Sequence, residues 1–222
     1  MNESQADTTN SLKNLAWFKL SEFIFRGEKE RAFNIYKLLM LAFDCKPFCL
    51  LVEGDLYLAF NETKTASEKY LAAAKIYEQE KNIFLTTITY EALVKNTEKN
   101  TDNTLEYWQK LLPLYNAIGY KPKIVLALKN LFKLFLNQKE DLQAKKILDE
   151  LKKINCSTPE EETWALYLLQ KNDNKNEALE IINKILEEYI TKNNSLELQT
   201  FLYKLETLDK EAYNMVIAKM KD

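Results

Sequence analysis

The stretch PFCLLVEGDLYLAFNETKTASEKYLAA, residues 47–73, holds the pattern that decides the fold. Its first half is an apolar run of helical period that ends near Phe60. A second such run begins after Asn61-Glu62-Thr63. Gly54 and Tyr57 stand in the first run; Ala66, Tyr70 and Ala73 stand in the second. A side chain without bulk at a helix crossing lets two backbones approach, and a nearby aromatic fills the groove beside the crossing. This spacing therefore predicts a tightly packed helical hairpin.

Counting outward from Ala66 turns one hairpin into a series. Ala32 lies 34 residues earlier and is followed by Tyr36 and Leu39 at the same offsets. Further on, Ala144 leads to Leu148 and Leu151. Ala178, 34 residues later, leads to Ile182 and Ile185, and Ala212, another 34 on, leads to Val216. A small residue recurring at this period is the mark of stacked helix pairs. The middle is irregular, because Ala66 and Ala144 are 78 residues apart; Thr104, with Trp108 and Leu111 behind it, is the expected intermediate anchor.

In those offsets (glycine 8, aromatic 11, alanine 20, aromatic 24, alanine 27) the chain resembles the tetratricopeptide repeat family over about residues 13–221. The resemblance is divergent, since most repeats lack the glycine and the terminal proline. It implies an all-α fold, a right-handed α-α superhelix of about six helix pairs whose first and last pairs serve as caps. The segments 73–82 and 115–134 resemble the longer repeats of the family, in which the second helix of a pair runs into a loop. Residues 1–12 are expected to be a flexible tail and 13–222 a single repeat domain.

Composition agrees with long helices. The chain of 222 residues has 46% hydrophobic and 29% charged residues, which is that of a folded soluble protein. Three glycines and four prolines are too few for a turn-rich sheet fold. The apolar periodicity breaks at Gly27–Lys29, Cys45–Pro47, Asn61–Thr63, Lys81–Asn82, Asn96–Asn103 and Gly119–Pro122. It breaks again at Asn137–Glu140, Asn155–Pro159, Lys171–Asn176, Thr191–Ser195 and Leu208–Lys210, which predicts about a dozen helices. Thr158-Pro159-Glu160-Glu161 carries a helix start signal, with Thr158 as the expected cap.

The same composition argues against several functions. Net charge is −2, and only Arg26 and Arg31 among the cations are arginine, so nucleic acid is not an expected partner. No apolar run is long enough for a membrane span, and no membrane partner is expected. The N-terminal residues lack the apolar core of a secretory signal, so a cytoplasmic location is expected. The lysine, asparagine and isoleucine bias points to an AT-rich, bacterial source. Histidine is absent, which removes the commonest general acid–base and a frequent metal ligand. No phosphate loop, nucleophile elbow or metal-spaced cluster stands in the chain, so neither catalysis nor a cofactor is expected. Cys45, Cys49 and Cys156 read as free thiols of a reducing compartment, with a Cys45–Cys49 redox pair as the alternative. Trp108 and Trp164 read as core, and Glu160, Glu161 and Glu162 as a solvated helix start.

The resemblance implies a groove lined by the first helix of each pair, at positions 2, 5, 9 and 12. Carried onto this chain, those positions include Trp17, Phe48, Leu51 and Asp55 toward the N-terminus. Lys129 and Lys133 follow in the fourth pair, Glu160 and Tyr167 in the fifth, and Glu197 and Phe201 in the sixth. On one reading Lys129 and Lys133 meet a partner's carboxylate while Trp17 and Phe48 grip its apolar side chains. On the other the lysines are a solvated stripe and the aromatics pack against the neighbouring repeat. Asn130, at position 6, is either a backbone anchor for a bound peptide or an exposed polar residue. Trp17 and Ser21, and Val52 in the second pair, stand where the family's two-carboxylate clamp has lysine and asparagine, so that ligand is not expected. The readings left open are an adaptor or scaffold for a protein segment, a peptide-sensing regulator or secretion-type chaperone, and self-association through an end of the array. An enzyme is a distant further alternative.

Overall fold

The computed structural model describes the backbone of residues 3–97, 102–171 and 174–221. Among these residues it is all-α, with twelve helices: α1 (Glu3–Phe25), α2 (Lys29–Met40), α3 (Lys46–Ala59), α4 (Thr63–Gln79), α5 (Ile83–Asn96) and α6 (Asp102–Ile118). They continue as α7 (Lys121–Asn137), α8 (Asp141–Lys153), α9 (Thr158–Lys171), α10 (Lys175–Thr191), α11 (Ser195–Leu208) and α12 (Lys210–Lys221). α1 reaches back through most of the stretch expected to be a tail, of which residues 1 and 2 lie outside the described residues. The breaks expected at 96–103 and 171–176 fall partly on residues 98–101 and 172–173, which are also outside them. Consecutive helices pack as pairs: α1 on α2, α3 on α4, α5 on α6, α9 on α10 and α11 on α12, with α4 also against α5. The chain forms two compact units, residues 1–127 and 128–222, with the boundary inside α7.

The small residues are where the spacing puts them. Ala32, Ala66, Ala144, Ala178 and Ala212 have no exposed surface, and Tyr70, Leu148, Ile182 and Val216 are buried four residues after their alanines. Thr104, the expected anchor of the irregular pair, is buried together with Trp108 and Leu111. The irregularity itself has a different origin from the one expected. α6 and α7 are both 17 residues long and are joined only by Gly119 and Tyr120, so no long loop follows α6. The added length lies in α7, which has 17 residues where the first helices α3, α5, α9 and α11 have 14, and in the connection between α5 and α6. Gly119 permits the sharp stop: its φ is +75°, and its amide and that of Tyr120 both donate to the carbonyl of Tyr115.

How a chain with three glycines ends so many helices is answered by asparagine and lysine. Asn61, Lys81, Lys139, Asn155 and Asn193 all take positive φ just beyond a helix. At each, the amide of that residue and the next fold back on the carbonyls of the last turn. At Asn61, for example, its own amide reaches Leu58 and that of Glu62 reaches Tyr57. This closure satisfies carbonyls that a helix end leaves unpaired.

Two kinds of polar tie connect the helices. Tyrosine hydroxyls donate to carboxylates on the neighbouring helix: Tyr70 to Asp55, Tyr115 to Glu91 at 2.7 Å, and Tyr90 to Glu78 at 3.0 Å. Ion pairs then link the second helix of one pair to the second helix of the next. They are Lys29–Glu62, Lys110–Glu78 at 3.3 Å, Lys145–Glu177 at 2.7 Å and Lys175–Glu211 at 2.6 Å. The partners are 33, 32, 32 and 36 residues apart, so the repeat period is written in charge as well as in alanine. Exposed pairs of this sort contribute about 0–1 kcal/mol each, so they fix register more than stability.

Candidate functional site

In unit 1 the aromatic candidates are used in packing. Trp17 lies edge-on to Phe43 with ring centres 6.4 Å apart, and the ring of Phe48 lies 5.2 Å from that of Phe43. Phe43, in the link between α2 and α3, is thus a wedge that joins α1 to α3; the periodicity gave no reason to single it out. Trp17 and Phe48 remain half-buried, as does Leu51. Asp55 is at the surface, but its carboxylate accepts the hydroxyl of Tyr70, which burial and this carboxylate hold far above the ordinary phenol range. A cleft of about 430 Å³ lies among the first turns of α4 and α6 and the end of α5, lined by Thr63, Lys64, Ser67, Asn103 and Tyr107. None of the groove candidates borders it.

Unit 2 brings charged candidates together. Lys129 and Lys133 are one turn apart on α7; Lys133 is exposed, and Asn130 beside them is half-buried and engaged with a neighbour. The Lys129 ammonium lies 3.3 Å from a carboxylate oxygen of Glu160 in the first turn of α9. Glu160 is 5% exposed, and that oxygen and the indole Nε1 of Trp164 one turn later are buried without a hydrogen-bond acceptor or donor among the described residues. The lysine is therefore the charge that compensates a buried carboxylate.

The start of α9 is accordingly not the solvated acidic run that was expected. Glu161 pairs with Lys152 at 3.1 Å, and Glu162 accepts the hydroxyl of Tyr189. Thr158 does not cap its helix with its side chain; the hydroxyl turns to Glu188 of α10 at 3.2 Å. Tyr167 stacks on Trp164 at 5.7 Å and donates to Asp141 of α8 at 2.6 Å. Lys171 meets the same carboxylate at 2.5 Å, and these two donors hold Asp141 below the ordinary carboxylate range. In α11 the expected register fails: Phe201, mapped to the groove, is fully buried, while Leu196 and Tyr203 are exposed. The helix is rolled so that the Phe201–Leu205 line, rather than its neighbour, faces the core.

Glu162 offers a direct test of this environment. Burial raises its pKa most, with Glu197 and Glu160 adding to the rise, while the Tyr189 hydroxyl and Lys204 oppose it. A raised folded-state value means that the folded chain keeps the proton while the unfolded chain has lost it. This contribution to stability is complete below the unfolded value of 4.5 and disappears as pH rises through the higher folded one. Urea titrations across that window should show wild type losing stability relative to Glu162→Gln. A constant difference between the two across the window would mean that the carboxyl is not so perturbed.

Among the described residues no group of three histidine, cysteine or acidic side chains is placed to hold a metal, and no helix is long and apolar enough to cross a membrane. The chain matches no protein-family model, and no curated protein matches it by sequence. Among solved structures it is similar to the crystal structure of the apo form of RapI, at a TM-score of 0.49 and 16% identity, over 93% of this chain and 81% of that one.

Proposed function

We propose that the chain is a non-catalytic adaptor or scaffold of tetratricopeptide type, which holds a segment of another protein on the surfaces of its first helices. The observation that carries this reading is the pair Lys129 and Lys133 on α7. Lys133 is exposed, and Lys129, 31% exposed at its side chain, lies one turn away on the same helix face with its ammonium 3.3 Å from the buried Glu160. A carboxylate of a partner meets the exposed Lys133 first, and Lys129, whose charge is already partly used by Glu160, stands one turn away as a second donor. Asn130 on α7 and Tyr167 on α9 are the further candidates in unit 2; in unit 1 they are Leu51 and Asp55 with the half-buried Trp17 and Phe48. Free thiols at Cys45, Cys49 and Cys156 suit a reducing compartment such as the cytoplasm.

The experiment is an array of acidic peptides probed with the wild-type chain and with Lys133→Glu, a change at an exposed position. Reversal of one exposed charge should weaken acidic ligands by about tenfold. Lys129→Gln should weaken them too, at some expense of stability. Identical peptide profiles for all three proteins would remove the reading.

A further inference from the structure

The cleft of unit 1, about 430 Å³ between the first turns of α4 and α6 and the end of α5, is bordered by charges of both signs. Lys64 and Glu68 of α4 and Glu106 of α6 line it, and none of the three has an ion-pair partner among the described residues. Lys64 and Glu68 stand one turn apart on the same helix and still do not pair. Nearby charges of the unit behave otherwise: Lys69 pairs with Glu53, Lys110 with Glu78 and Lys123 with Glu91.

Tyr107 adds a buried, unsatisfied group to this set. It is 5% exposed and forms part of the cleft wall, yet among the described residues its hydroxyl has no hydrogen-bond partner. The buried Tyr70, Tyr90 and Tyr115 of the same unit each donate to a carboxylate. Buried hydroxyls are normally paired, so this one points to a group from outside the chain. Burial, and then the charge of Glu106, push the phenol above its ordinary range, so it stays neutral and available as a donor.

The balance of charge selects the ligand. On the positive side are Lys64 and the N-terminal poles of α4 and α6. On the negative side are Glu68, Glu106 and the C-terminal pole of α5, where Asn96 and Thr97 border the space. A simple anion or a simple cation would satisfy one set and be repelled by the other. A small zwitterion satisfies both, and the volume lies toward the lower end of the range for small-molecule sites. We infer that this cleft binds a free α-amino acid, with its ammonium toward Glu68 and Glu106 and its carboxylate toward Lys64 and the Tyr107 hydroxyl.

This site goes beyond the adaptor reading and does not depend on the α7 surface. The test is thermal unfolding of the full chain with each of the standard free amino acids at millimolar concentration, then calorimetric titration of the one with the largest effect. A ligand that binds only the folded chain raises Tm, and at least one amino acid is expected to do so. Its methyl ester lacks the negative charge and its N-acetyl form lacks the positive one; each should bind about tenfold less well. Lys64→Met should weaken the free amino acid but not the ester, and Glu106→Gln should weaken it but not the N-acetyl form. Tyr107→Phe should weaken the amino acid about threefold or more while leaving Tm of the unliganded chain unchanged or higher, because no internal hydrogen bond is lost. Lys133→Glu should alter none of these results. The assignment is overturned if no amino acid raises Tm, or if the free, ester and N-acetyl forms bind equally. Binding that survives all three cleft substitutions, or a fall in Tm of unliganded Tyr107→Phe, overturns it as well.

Discussion

Replacing Phe132 with alanine is expected to lower the unfolding free energy by about 3–5 kcal/mol. Phe132 has no exposed surface and lies on the face of α7 that also buries Leu128, Leu131 and Phe135. Truncation removes the transfer energy of a phenyl ring and leaves a cavity. A repeat of paired helices is only two layers thick, so few side chains are free to collapse into that space. Leu126→Ala is the control on the same helix: Leu126 is 44% exposed, and its loss should cost under about 1 kcal/mol. Urea denaturation followed by circular dichroism measures both, and similar losses for the two variants would contradict the burial of α7 described above.

The second large effect is expected at Gly54. In an exposed helix, glycine to alanine stabilises by about 0.5–1 kcal/mol. Here a Cβ would lie 2.8 Å from Cε1 of Tyr70, with Cδ1 and Cζ at 3.1 Å. The ring has little room to give way, being 2% exposed with its hydroxyl held by Asp55. Gly54→Val should therefore cost about 1–3 kcal/mol or more through overpacking, and even alanine should destabilise. A thermodynamic cycle isolates the cause. In a Tyr70→Leu background the valine should cost much less, and an additive cycle would mean that the two side chains do not collide.

These two sites differ in how they could be foreseen. Gly54, Ala66 and Tyr70 were legible because a close crossing makes the same demand each time: a small residue, then a ring at a fixed offset along one chain. Ala32, Ala144, Ala178 and Ala212 follow from the same rule, and all are without exposed surface. Periodicity likewise placed Trp164 in the core. It also put Glu160 one turn before that tryptophan, on the same line, which was the available sign that this carboxylate is buried and not part of a solvated helix start.

What escaped the sequence depends on partners remote along the chain. Nothing near Lys129 specifies that a carboxylate 31 residues later comes within 3.3 Å of it. Phe43 looks like an ordinary link residue until α1 and α3 bring Trp17 and Phe48 against its ring. The roll of α11, which buries Phe201 in place of a groove position, follows from how that helix settles on α9, α10 and α12. Sequence by itself determined the helices, their pairing and the small residues at their crossings, because these obey local periods of 3.6 and about 34 residues. Tertiary structure alone decided which charges are neutralised, which aromatics are spent on packing, and that the buried Tyr107 hydroxyl has no partner among the described residues, because pairing and exposure are properties of neighbours and not of spacing.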